Sequence, residues 1–163
     1  MNSLRFRLVL VLILIGVIPC VLLRIGMLNS YENRAVSLRT SEILSQAKIL
    51  ANQIVSNDYL ENSGSPTINA QLEQLSTIYD GRVMIISDTF QVVKDTYKLD
   101  EKKTIISEEV IKSFYGEEIT KYDSKYRYIE MTIPLVRTDQ ENESRQVIGV
   151  MMVSVSTDSI SLN

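Results

Sequence analysis

The side chains with the most potential for chemistry cluster in the last third of this 163-residue chain: Tyr122, Lys125, Tyr126, Arg127 and Tyr128. A guanidinium can hold a carboxylate through two parallel hydrogen bonds, and tyrosine rings can wall a pocket while their hydroxyls donate. That combination suits a small anionic ligand. Arg82 and Lys94 flank a predicted hairpin and could join the same pocket. The candidate ligand-binding residues are therefore Arg82, Lys94, Tyr126, Arg127 and Tyr128. The plainer reading is a solvated strand end whose tyrosines cover a sheet edge and whose basic residues are exposed.

Other reactive chemistry is sparse. The chain has no histidine, which removes the commonest general base and metal ligand. Asp95, Asp100, Glu101, Glu117, Glu118 and Asp123 match no twelve-residue calcium loop, so they offer at most a weak acidic surface. Glu108 and Glu109 are most simply a pair at the positive end of a helix. There is no phosphate-cradling glycine motif and no histidine to phosphorylate. The sequence thus points to no catalytic residue, no metal and no cofactor. The formal charge is −3, and with Arg5 and Arg7 set aside the remainder is more acidic still, so nothing points to nucleic acid.

The elements that must position those residues begin with an apolar run. Leu8 to Leu23 carries no charge, and Leu4 to Leu28 reaches bilayer length if Arg5, Arg7 and Arg24 snorkel. The basic tail before it and the absence of acids until Glu32 predict a cytoplasmic Met1, with everything after about residue 28 outside the cell membrane. No small-residue cleavage site follows the run, and Pro19 and Val21-Leu22-Leu23 do not suit lipidation of Cys20, so the expectation is an uncleaved anchor in the lipid bilayer. Because Cys20 is the only cysteine, the exterior has no disulfide.

Val36, Ile43, Ala47, Leu50 and Ile54 then fall on a heptad-like spacing. This seam suits either packing on the helix's own domain or a homodimer through the membrane and long helices. Leu38, Leu44, Ala51 and Val55 form a second apolar row. The boundaries expected are a basic tail (1–7), a membrane helix (8–28), a long helix (29–62), a sheet domain (63–156) and an exit (157–163).

Within the sheet domain, Thr67 to Tyr79 reads as a short helix with Ile68, Leu72, Leu75 and Ile78 on one face. Arg82 to Ser87 is apolar on both faces, as in a central strand, and Val92 to Thr96 returns from a turn at Asp88-Thr89-Phe90-Gln91. A helix begins near Ser107, buries Val110, Ile111 and Phe114, and closes at Gly116. Three strands follow: Glu118 to Tyr122, Lys125 to Arg137 and Gln146 to Val155. Pro134 predicts an edge or a bulge, and residues 138–145 a polar hairpin loop.

The stretch Gly81 to Tyr97, GRVMIISDTFQVVKDTY, resembles the central hairpin of the extracytoplasmic PAS-like (Cache or PDC) sensor domains of bacterial two-component sensor histidine kinases. Ile85-Ile86-Ser87-Asp88 and Val92-Val93-Lys94-Asp95-Thr96 carry the likeness, together with Ile133-Pro134-Leu135 and Val147-Ile148-Gly149-Val150. Many members have a glycine in the turn where this chain has Phe90-Gln91. The resemblance implies an α+β fold: an N-terminal transmembrane helix continuing into a long helix packed on a five-stranded antiparallel PAS-like sheet, with a ligand cavity on the other face. It also implies a second membrane helix and a kinase core beyond residue 163, making this chain a non-catalytic input region. Alternatives are the same module in a chemoreceptor or cyclic-dinucleotide enzyme, a membrane-anchored interaction domain without ligand, or a pilin-like subunit, whose processing site is missing.

Overall fold

The computed structural model describes residues 3–62, 64–123, 125–139 and 144–157, with side chains described over Phe6–Arg24 and again from Ser37. The side chains of Arg5, residues 29–33 and Val36, the loop 140–143 and the exit 158–163 lie outside the described residues. The chain forms two units, Met1–Leu38 and Arg39–Asn163. Helix α1, Ser3–Ser56, runs through Pro19 and contributes to both. Its segment Phe6–Arg24 is long and apolar enough to cross a membrane, and its side chains are exposed.

In the second unit α1 ends earlier than the sequence suggests. Asp58 takes a left-handed φ of 49°, Tyr59 N–H donates to the Ile54 carbonyl at 3.1 Å and Asp58 N–H to the Val55 carbonyl at 3.2 Å. This is a Schellman closure with aspartate in the position glycine usually takes, and Tyr59 and Ile54, the two positions between which such closures commonly make an apolar contact, are both buried. The Tyr59 hydroxyl donates to Asn69 Oδ1 at 2.5 Å, linking the closure to helix α2, Pro66–Ile78. Burial, reinforced by the charge of Glu101, pushes that hydroxyl's pKa up to about 12.

Strands β1 (Gly81–Ser87), β2 (Val92–Asp95), β3 (Ile119–Asp123), β4 (Tyr128–Thr138) and β5 (Arg145–Ser156) form one antiparallel sheet in the order β2-β1-β5-β4-β3. The doubly apolar strands β1 and β5 lie inside, as their composition requires. Pairing of β3 with β4 ends at Thr132, so Pro134 sits where β4 has only β5 as a neighbour, one residue before a register shift at Leu135/Val136.

One face of the sheet carries Val83, Ile85, Ile129, Met131, Ile133, Leu135, Met151, Val153 and Val155, all buried. The buried side chains of α1 (Ile43, Ala47, Leu50 and Ile54) and α2 (Ile68, Leu72 and Leu75) complete this core. The described seam positions, Ile43, Ala47, Leu50 and Ile54, are therefore buried in the domain's own interior. Leu60, just after α1, lies over Gly149, where an added Cβ would come within 2.9 Å of its Cδ1 and 2.7 Å of the Ile86 carbonyl oxygen.

Helix α3, Glu108–Phe114, covers the opposite face. Ser107 caps it, accepting from Val110 N–H at 3.3 Å. Two expected helix faces differ from those observed. Ile78 is 56% exposed, because α2 turns Leu72 and Leu75 to the sheet and leaves its last turn at the surface. Ile111 is also exposed, and Ser113 takes the buried position beside Val110.

Candidate ligand-binding face

Alternation along three paired strands places Arg82, Met84 and Ile86 of β1, Val150, Met152 and Ser154 of β5, and Tyr128, Glu130 and Thr132 of β4 on the face beneath α3. The face has two halves. Its apolar half joins Met84, Ile86, Val92, Val150 and Met152 to Val110, with Phe90, Ile105 and Phe114 packed against them. Its polar half is a row running across four strands: Arg82 opposite Ser154, Ser154 opposite Glu130, and Glu130 opposite Lys121. Tyr128, opposite Ser156, forms the next row.

Arg82 is tied down from one side. Its Nε donates to Asp95 Oδ1 at 2.9 Å, and its Nη2 donates to Asp95 Oδ2 and to Asp100 Oδ2, both at 2.6 Å. Asp95 is 0% exposed and also accepts from the backbone N–H groups of Tyr97, Leu99 and Asp100 at 2.9–3.0 Å. Burial alone would raise the Asp95 pKa, but Arg82 and those three N–H donors hold it well below the usual carboxylate range. The hydrogen bond to Asp95 likewise raises the Arg82 pKa, so the pair stays charged. Lys103, at 2.8 Å, and then Arg82 lower the Asp100 pKa. This network folds the segment after β2 onto the sheet edge.

The other end of the polar row is different. Burial, together with the nearby charge of Glu109, raises the Glu130 pKa, while Lys121 pulls it down. Lys121 is itself paired with Glu109 at 2.9 Å, and that bond lowers the Glu109 pKa. Two residues further along β4, Thr132 is buried, and its Oγ1 has no hydrogen-bond partner among the described residues. The Oγ of Ser113, buried on the α3 side that packs on β4 and β5, is in the same condition. A half-buried carboxylate and two unpartnered hydroxyls under one helix can receive hydrogen-bond donors.

Of the five residues singled out from the sequence, the structure brings Arg82 and Tyr128 to this face. Lys94 pairs with Ile85, on the opposite face, and lies 3.9 Å from Glu101. Tyr126 and Arg127 are exposed in the turn before β4, which starts at Tyr128 rather than Lys125. The backbone of Arg127 has its own role, since its carbonyl accepts from Thr157 N–H at 2.7 Å and Thr157 Oγ1 at 2.8 Å. Glu130, Thr132 and Ser113 were not singled out. In the sequence Tyr128, Glu130 and Thr132 alternate with Ile129, Met131 and Ile133, so an acid on the second face of an apolar strand was the available signal. Among the described residues no group of three or more acidic or cysteine side chains is placed to hold a metal ion.

No protein-family model matches the chain, and no curated protein matches it. Among solved structures it is similar to the sensor domain of the V. cholerae histidine kinase DctB, at 15% identity and a TM-score of 0.58. The match covers 81% of this chain but 55% of that one, so the chain spans about half the length of the structure it resembles. The expected α+β fold, with five antiparallel strands in one PAS-like sheet, is the fold observed and is shared with that structure.

Proposed function

We propose that this chain is the signal-input region of a membrane-bound sensor histidine kinase, anchored by Phe6–Arg24 with the sheet domain outside the cell. The observation that carries the proposal is the shared fold with a histidine-kinase sensor domain. The apolar helix ahead of that fold supports it, because an external sensor has to be attached to whatever it controls.

In this reading the ligand contacts the polar row beneath α3. The small anion expected from the sequence would have to compete there with two carboxylates already 2.6 Å from Arg82. The proposed ligand instead presents donors to Glu130, Thr132 and Ser113. It shifts the signalling equilibrium only by its differential affinity for two arrangements. The strands beneath α3 carry α1 on their other face, which gives a small displacement a route toward the membrane helix. Two copies paired through that helix would respond together. The kinase core and a second membrane helix belong to the same proposal.

The test is a chimera in which residues 1–156 replace the corresponding input region of a histidine kinase with a transcriptional reporter. Alkaline phosphatase fused after Ser156 should be active, and the chimera's output should respond to a ligand in a manner lost in Glu130→Gln. An inactive phosphatase fusion alongside an active cytoplasmic reporter would refute the external placement. A well-expressed chimera whose output ignores both added metabolites and substitutions on this face would refute the sensing role.

A further inference from the structure

Away from the sheet, α1 and α2 enclose a groove of about 470 Å³. Each helix contributes one stripe at i, i+3 and i+7: Gln46, Ile49 and Gln53 from α1, and Gln71, Gln74 and Ile78 from α2. Leu50 and Leu75 form its floor. Four carboxamides thus line one small space, while Ile49 and Ile78, each more than half exposed, leave aliphatic surface at its rim. The Oε1 of Gln71 is buried without a hydrogen-bond partner among the described residues.

The lining carries one charge, and it is already engaged. Glu42 accepts from Arg39 Nη1 at 2.9 Å and from the Tyr79 hydroxyl at 3.3 Å, with the Arg39 guanidinium also stacked over the Tyr79 ring. Among the described lining residues there is no cation to recruit an anion, and the acid is already paired. What remains is a set of groups that each donate and accept, which matches rows of neutral hydroxyls. The aliphatic rim suits the C–H faces that alternate with those hydroxyls in a cyclic polyol. From Gln46 to Gln53 the helix advances roughly 10 Å, room for one or two sugar-sized rings but not for a long peptide. The volume lies within the range of small-molecule sites, about 300–1,000 Å³.

We propose that the groove between α1 and α2 is a second binding site, for a neutral, hydroxyl-rich ligand of mono- or disaccharide size. It is separate from the face beneath α3 and stands whether or not that face senses anything. Such a ligand would bridge α1 and α2.

The experiment uses the full chain in a phosphocholine detergent, which has no sugar headgroup to compete, with the glutamine side-chain amides labelled for NMR. Glucose and maltose are the probes, and succinate is the charged comparator. The expected result is saturable shifts of the Gln46, Gln53, Gln71 and Gln74 amide signals with a sugar and none with succinate. Gln74→Leu and Gln46→Leu, both at exposed positions that leave the core intact, should each weaken binding at least about tenfold. Three results would overturn the proposal. One is no shift at several hundred millimolar of either sugar. Another is shifts unchanged in both leucine variants. The third is glutamine signals that move with protein concentration alone, which would make the groove a contact between copies of the chain.

Discussion

Arg82 and Asp95 meet side-on, Nε to Oδ1 at 2.9 Å and Nη2 to Oδ2 at 2.6 Å, with the carboxylate wholly buried at the edge of the sheet. The two partners are not equivalent. Asp95 holds three backbone N–H groups besides Arg82, whereas the guanidinium retains Asp100 if Asp95 is lost. Asp95→Ala leaves a part-buried cation short of a partner and releases the segment from Tyr97 to Asp100. It should cost about 3–5 kcal/mol. Arg82→Met should cost less, because the three N–H donors still stabilise the carboxylate. Thermal unfolding followed by tyrosine circular dichroism would rank the variants. Equal losses would mean that the backbone bonds to Asp95 contribute little.

The acid limb of the stability curve should belong to Asp95. Its folded pKa is depressed, so its contribution is complete above the unfolded value of about 3.9 and is lost as pH falls below it. Asp100 and Glu109 are shifted in the same direction and add to the loss. Asp95→Asn should therefore flatten the dependence of melting temperature on pH below about 4, relative to the unsubstituted chain.

Glu130 should act with the opposite sign. Its folded pKa is raised, so the folded state binds the proton more tightly, and stability falls as pH rises from the unfolded value of about 4.3 through the raised one. The groups facing it are Glu109 on α3, which adds to the rise, and Lys121 on β3, which opposes it. Glu130→Gln should be more stable than the unsubstituted chain at neutral pH, and the difference should close as pH falls below about 4.3. A substitution that stabilises the fold at a position central to the proposed ligand contact is expected where function sets the residue. Lower stability of Glu130→Gln at neutral pH would show that the carboxylate is held by favourable contacts.

Much of this arrangement was legible before the structure because it depends on period. The alternation of Ile129, Met131, Ile133 and Leu135 could only be one buried face, and the doubly apolar runs at Arg82–Ser87 and Gln146–Val155 could only be interior strands. What periodicity cannot give is the neighbour across the sheet. Glu130 and Arg82 are 48 positions apart in sequence and share a row only because both pair with Ser154. Lys94 was misplaced for the same reason, since one residue of register decides which face a strand residue takes. Asp95 looked like a surface acid because sequence does not show that a chain will fold its own N–H groups around a carboxylate.

Gly149 tests how closely the layers approach. An added Cβ would sit 2.7 Å from the Ile86 carbonyl oxygen, 2.9 Å from Leu60 Cδ1 and 3.3 Å from Leu135 Cδ1. Leu60 can move, but the β1 backbone cannot without breaking a ladder of seven residue pairs. Gly149→Ala should cost about 1–3 kcal/mol, read as a lowered melting temperature. Gly116→Ala, with open space at its Cβ, should cost only the strain of its φ of +89°. If the two variants were equally destabilised, contact at Gly149 would not be the cause.

The hairpin turn reverses an ordinary expectation. Phe90 adopts a φ of 61°, a conformation that glycine takes freely and a bulky residue rarely does, and similar hairpins often have glycine in this turn. The conformation is held by Phe90 N–H donating to the Ser87 carbonyl and Ile105 N–H donating to the Phe90 carbonyl, both at 2.9 Å. The ring of this residue meets Phe114 of α3 with centroids 4.9 Å apart and planes tilted by 59°. Removing the ring by Phe90→Ala forfeits that contact while keeping the backbone strain. Phe90→Gly forfeits the contact and relieves the strain. The glycine variant should therefore be the more stable of the two by roughly 1 kcal/mol, although in most strand and helix positions alanine is preferred. Both should fall below the unsubstituted chain, and the loss from Phe90→Ala should shrink when Phe114 is already alanine, because the ring pair is worth about 0.5–1.5 kcal/mol beyond its buried area. If alanine proved more stable than glycine at position 90, the turn would relax out of the left-handed region once the ring is gone. The aromatic contact would then be what holds the backbone there, and the α3 side of the candidate face would be set by two rings rather than by the turn.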